Sequence, residues 1–267
     1  MLLAVDVGNS HTVSGIFSGG QLVAEWRLKS DRDRTGDELA IRYHTLFQMA
    51  DIKPAEVTGF IISSVVPTLT AAWSSYVDRY FVGQLSSPPL TVSNTIETGI
   101  TIATDNPAEV GADRIVNAVA ACSLFTTGAL IIVDFGTAIT FDCINGDRQY
   151  LGGAILPGIP ISLDALASRT AKLPRVEIDR VPEKAVGRNT GDAIRSGMLI
   201  GFGGMVDRLV DRLAAELCPA GEPVKVIATG GMAHIIAPHS TCIQIIEPRL
   251  TLNGLRIIYE KGKTNGS

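Results

Sequence analysis

Two short stretches carry residue types that can hold an anion and a cation together: LLAVDVGNS, Leu2 to Ser10, and LIIVDFGTA, Leu130 to Ala138. Each runs an apolar strand into an acid, Asp6 or Asp134, then a glycine and a small polar residue. Such a turn can present unhindered backbone N–H groups to phosphate oxygens while the carboxylate holds a cation or its water. One turn of this kind is ordinary chain reversal, with Asn9 and Ser10 capping it, or Asp134 fixing its own strand end. Two at matched places, plus a glycine-rich strand end at Thr229-Gly230-Gly231, point instead to a nucleotide. Such a site would be neither of the P-loop nor of the Rossmann kind. GxxxxGK[ST] is absent, and GFGGM at Gly201 to Met205 follows no strand and lacks the dinucleotide spacing.

A third acid, Asp113, lies in NPAEVGADRIVNAVAACSLF, which reads as a turn entering a helix. An aspartate in a first helical turn is favourable on dipole grounds alone. Its neighbour Arg114 suits an anionic substrate, or equally a surface salt bridge. Asn189-Thr190 is a good helix start in its own right.

The elements that must position these residues follow from periodicity. Leu2 to Val7, HTVSGIF and QLVAEWRLKS read as three hairpin-linked strands, with Gly19-Gly20 as a turn. Thr35 or Asp37 caps a helix carrying Leu39, Ile41, Leu46 and Phe47. VTGFIISSVVP suits a strand buried on both faces, TLTAAWSSYVDRYF a helix and LTVSN a strand. The second half restarts with a strand from Leu130 to Asp134 and a hairpin, AITFDCINGDRQYLGGAIL, where Asn145-Gly146 predicts a two-residue turn. GGMVDRLVDRLAAEL is expected to be a helix with Met205, Leu209, Leu213 and Leu217 on one face and Val206 and Val210 beside it. VKVIATGG reads as a strand and LTLNGLRIIYE as a terminal helix. The order predicts an α/β protein of two similarly built halves, each with a mixed sheet flanked by helices.

Composition sets the remaining bounds. With 46% hydrophobic residues the chain can form a generous core, and its net charge of −4 argues against a nucleic-acid partner. No apolar run reaches the roughly 18 residues of a membrane span, and Asp6 breaks the first apolar stretch, so a cytoplasmic protein is expected. Cys122, Cys143, Cys218 and Cys242 form no CxxC, and the four histidines no HExxH, so neither a disulfide framework nor a zinc site is expected.

DVGNS, NPAEVGADRIVNAVAA, VDFGTAITFD, YLGGAILPGI, RTAKLP, VGRNT and IATGG occur in that order, and together the chain resembles the type III pantothenate kinases over nearly its whole length. The resemblance implies the actin-like, sugar-kinase and chaperone ATPase fold: two duplicated domains, divided at 1–115 and 116–267, with a nucleotide cleft between them. It implies ATP-dependent phosphorylation of pantothenate to 4′-phosphopantothenate, the first step of coenzyme A synthesis. Mg2+ or Mn2+ would accompany ATP, and K+ or NH4+ would serve as the monovalent cation. By the same resemblance Asp6, Val7, Gly8, Asn9, Ser10, Thr12 and Thr137 bind ATP, with Asp6 also placing the divalent ion through water. Asp113 is the catalytic base, Gly111, Ala112, Asp113, Arg114 and Thr190 meet pantothenate, and Asp134 holds the monovalent cation. Gly230 and Gly231 would lie on the adenosine side. Family members are homodimers, so Thr190 would complete the active site of the neighbouring subunit. Two positions depart from the pattern: Ser10 stands in place of threonine, and Thr104 in place of a tyrosine near pantothenate. The competing readings are another phosphotransferase of the same fold, acting on a sugar, acid or polyphosphate, and a silent regulatory relative that would have lost Asp6, Asp113 or Asp134.

Overall fold

A computed structural model of the chain describes residues 1–265. They pack as two compact units. Unit 1 comprises residues 1–100 and 105–123 together with the C-terminal segment from Leu250, and unit 2 comprises 101–104 and 124–249.

Unit 1 begins with β1 (Leu2–Val7), β2 (His11–Ser18) and β3 (Gln21–Lys29), each antiparallel to the last. Helix α1 (Gly36–Met49) starts at a capping box: Thr35 Oγ1 accepts from the Glu38 N–H at 3.3 Å, and Glu38 Oε2 accepts from the Thr35 N–H at 2.8 Å. β4 (Gly59–Ser64) then returns parallel to β1. Its run of Phe60, Ile61 and Ile62 is buried, as a strand covered on both faces requires. α2 (Pro67–Tyr80) leads to β5, which is only Leu90–Thr91, shorter than the expected LTVSN strand. Leu3, Val5 and Val7 point into one core with α1 and α2, where the Tyr43 and Trp73 rings meet at 4.8 Å.

Unit 2 adds β6 (Thr101–Ile102) at one edge, and α3 (Ala112–Leu124) of unit 1 leads into β7 (Leu130–Phe135), β8 (Ala138–Ile144) and β9 (Gln149–Pro157). After α4 (Ile159–Arg169) and the 28-residue α5 (Thr190–Leu217) come β10 (Lys225–Thr229), α6 (Ala233–Ile236), β11 (Ile245–Ile246) and α7 (Leu250–Asn265). The sheet orders are β3-β2-β1-β4-β5 and β11-β10-β7-β8-β9-β6. Apart from the added β6 edge these are one pattern, because β7 lies between antiparallel β8 and parallel β10 as β1 lies between β2 and β4. The expected duplication is therefore present strand for strand.

Three expectations are corrected. The 115/116 boundary falls inside α3, and both α3 and α7 belong with unit 1. Thr251 Oγ1 donates to Asn117 Oδ1 at 2.8 Å, and the close Gly254–Val116 approach locks the two helices together. The β8–β9 hairpin has a four-residue loop, Asn145 to Arg148. Asn145 Oδ1 accepts from the N–H groups of Asp147 and Gln149, Arg148 takes φ +59, and the ladder is irregular at Cys143/Ile144. This side-chain-built turn displaces the tight Asn-Gly type. On α5 only Met205 departs from the expected face: it points outward, while Leu209, Leu213 and Leu217 pack against the core beside the buried Leu199, Phe202, Val206 and Val210. GFGGM is plain helix interior.

Candidate active site

β1 delivers Asp6 to the sheet's carboxyl end because alternation along the strand sends Val5 and Val7 into the α1/α2 core and Asp6 to the other face. The parallel neighbour of Asp6 is Ser63 of β4, fully buried, whose Oγ donates to Asp6 Oδ1 at 2.5 Å. Val7 ends β1, Gly8, Asn9 and Ser10 make the β1–β2 turn and Thr12 lies at the start of β2, with Gly8 N–H donating to His11 O at 3.0 Å.

The segment after β3 clamps that turn. Ser30 Oγ donates to Gly8 O at 2.6 Å and lies 3.0 Å from Thr12 Oγ1, and Ser30 N–H donates to Ser10 O at 3.0 Å. Arg32 Nη2 donates to Asn9 Oδ1 at 3.1 Å. The turn is thus tied from outside at Gly8, Asn9, Ser10 and Thr12.

Asp113 and Arg114 stand in the first turn of α3, with Gly111 and Ala112 leading in. Asp113 Oδ1 accepts from the Arg114 N–H at 2.9 Å. Burial raises the Asp113 carboxyl above its ordinary value, and the Arg114 N–H and guanidinium offset part of that rise. A carboxylate moved toward neutrality is a better proton acceptor than an ordinary surface aspartate.

In unit 2, β7 ends on Asp134, followed by the turn through Gly136 and Thr137, with Gly136 N–H donating to Ala138 O at 3.1 Å. The parallel neighbour of Asp134 is Thr229, again a buried hydroxyl residue, so the strand-neighbour placement of Asp6 and Ser63 recurs in Asp134 and Thr229. Gly230 follows at φ +89, and a Cβ there would collide with Asp134 Oδ1 and lie 2.7 Å from the Phe135 backbone. Gly158 closes the other side. Its N–H donates to Thr137 O at 3.0 Å, and a Cβ would collide with that oxygen. Gly231 follows Gly230 at the end of this strand. Thr190 is exposed at the start of α5, where Asn189 is the cap and its Oδ1 accepts from the Asp192 N–H at 2.8 Å. Thr104, just beyond β6, has a buried Oγ1 without a hydrogen-bond partner.

Comparison with known proteins gives the family and the fold. A family model described as type III pantothenate kinase matches residues 2–212. A type III pantothenate kinase from Desulfotalea psychrophila is 51% identical over 259 residues, covering 97% of each chain. The chain belongs to the type III pantothenate kinase family. Its fold is that of the sugar kinases and their relatives. A Campylobacter jejuni structure described as a Baf-family transcriptional activator superposes with TM-score 0.55 at 20% identity, covering 98% of this chain and 99% of that one. A Sinorhizobium meliloti structure described as a 2-dehydro-3-deoxygalactonokinase gives 0.53 at 14%, with 99% of both chains covered.

Residues that the sequence motifs did not single out stand against both turns of the kinase. Ser63, Ser30 and Arg32 hydrogen-bond to Asp6, Gly8 and Asn9, Gly158 donates to Thr137 O, and Thr229 lies beside Asp134. Gly158 lay within a quoted motif, YLGGAILPGI, without a role. The others come from strands and loops whose register alone brings them to the acids.

Proposed function

We infer that this kinase transfers the γ-phosphoryl group of ATP to the primary alcohol of pantothenate with Asp113 as the base. The bond from the alcohol oxygen to phosphorus forms as the bond to the ADP oxygen breaks, and the alcohol proton passes to the Asp113 carboxylate. The observation that carries the assignment is a half-buried carboxylate in the first turn of α3, next to Arg114, whose desolvation raises its pKa. Gly111, Ala112 and Arg114 meet pantothenate beside it, Arg114 being suited to an anionic substrate.

The first turn, from Asp6 through Thr12, takes ATP phosphates, and Asp6 places Mg2+ or Mn2+ through water. The donors fit: a half-buried carboxylate backed by Ser63 is a hard oxygen ligand of the kind such ions take along with phosphates. The divalent ion supplies charge neutralisation on the phosphate chain. Asp134 holds K+ or NH4+, and Thr137 offers a hydroxyl to ATP. An oxygen-only donor set suits a hard monovalent ion as well.

Product formation from ATP and pantothenate is expected in potassium or ammonium and not in sodium alone, and Asp134→Asn should lose the potassium response. Equal activity in sodium would remove the cation role from Asp134. Activity with another alcohol and none with pantothenate would overturn the substrate.

The kinase acts as a homodimer, with Thr190 of the partner subunit completing each pantothenate site. Gly197, Ile200, Gly201, Gly204 and Met205 form an exposed face of α5 that supports this reading, because glycines weaken a helix unless close approach repays them. Sedimentation at twice the chain mass is expected, and a monomer with full activity would sink the composite site.

A further inference from the structure

We propose that Arg32 is a substrate-contacting residue: a guanidinium parked on the Asn9 amide, where it contacts the phosphate chain of bound ATP. The proposal rests on the reading of the Asp6 turn as the ATP phosphate site and adds a residue to it.

Four observations carry it. First, Arg32 is on a segment fastened to that turn by Ser30, whose N–H and Oγ donate to the carbonyls of Ser10 and Gly8 at 3.0 and 2.6 Å. The position of residue 32 relative to the turn is therefore fixed from a point two residues away. Second, its side chain ends on the turn itself, Nη2 donating to Asn9 Oδ1 at 3.1 Å. Third, it has no acid partner: Asp31 pairs with Arg34 at 3.4 Å, and no carboxylate pairs with Arg32 among the described residues. Fourth, it is exposed, so its charge remains open to a ligand.

A neutral amide is a weak partner for a guanidinium, which has five N–H donors and favours carboxylates and phosphates with two parallel bonds. Holding such a group on an amide keeps it oriented and uncommitted. Its neighbours suit that role, since the turn offers backbone N–H groups for phosphate oxygens while a nearby cation is needed to balance the triphosphate charge. A salt-bridge reading lacks its carboxylate. A purely structural reading is disfavoured by exposure, because the Ser30 bonds already clamp the turn.

The test compares Arg32→Gln, Arg32→Lys and Asp6→Asn with the unaltered protein by titration calorimetry with MgATP, and by KM for ATP and for pantothenate. Arg32→Gln can still donate to Asn9 but has no charge. It should weaken MgATP roughly ten- to a hundredfold, the range for a hydrogen bond to a charged group, and leave the KM for pantothenate unchanged. Arg32→Lys should recover part of the loss. Repeating Arg32→Gln in an Asn9→Ala background separates contact from positioning. A direct contact keeps its effect there, and one that acts only by orienting Asn9 loses it, which would overturn the proposal. MgATP affinity unchanged in Arg32→Gln but weakened in Asp6→Asn would overturn this inference and leave the turn assignment standing. No loss in either would overturn both.

Discussion

Asp113→Asn should give a folded protein that still binds ATP and turns over roughly 10²- to 10⁴-fold more slowly, the range associated with removing a positioned general base. The substitution is nearly isosteric, and the amide oxygen can still accept from the Arg114 N–H that the carboxylate uses now. The loss should therefore fall on kcat, with affinity for MgATP preserved. A pH profile gives an independent readout. The base must be ionised to accept a proton, so the rate should fall as pH drops through the Asp113 pKa. Burial raises that pKa, so the fall should begin above the ordinary carboxylate range. Stability runs the other way. A carboxyl whose folded pKa exceeds its unfolded one binds its proton more readily in the fold, so stability is lost as pH rises between the two values. At neutral pH the neutral Asn side chain should leave the melting temperature unchanged or raise it. Loss of activity together with a lower melting temperature would mark Asp113 as a structural cap. Wild-type turnover would remove it from the chemistry.

Gly230→Ala is expected to have the largest effect on the second turn, lowering stability by about 3 kcal/mol or more and abolishing activity. Two terms add. A residue with a Cβ is strained at φ +89 by about 1–3 kcal/mol, and the Cβ itself would drive into Asp134 Oδ1 and the Phe135 backbone. The Asp134 carboxylate could swing aside but the Phe135 backbone cannot, so the β7–β10 strand ends must separate. Gly146→Ala is the control, because it lies in the hairpin loop with nothing within 4 Å of a new Cβ. Its denaturation midpoint should match the parent's within a few tenths of a kcal/mol. An active, stable Gly230→Ala protein would show that the carboxylate of Asp134 tolerates displacement and is not held for a ligand.

Local signals made much of this fold legible. β1, β4 and β7 could be read as buried strands because their apolar runs need no partner to be recognised, and α1 because Thr35 and Glu38 form a cap within four residues. The first half of α5 was harder to see, since four glycines between Gly197 and Gly204 weaken a helix. Packing of Leu199 and Phe202 into the unit 2 core outweighs that propensity. The hairpin turn failed as an expectation because Asn145 uses its side chain to build a longer loop, a choice the Asn-Gly pair alone does not reveal.

By itself the sequence determined the family, the duplicated strand order and the two turns that end in Asp6 and Asp134, since each of these is written in consecutive residues. The tertiary structure decided what stands against those turns. Ser63 reaches Asp6 across 57 positions of chain, Arg32 and Ser30 fold back onto residues 8–12, and α7 joins α3 although 134 positions separate Asn117 from Thr251. Strand register and helix packing set such pairings. Both are properties of the whole buried core, which no short stretch of residues encodes.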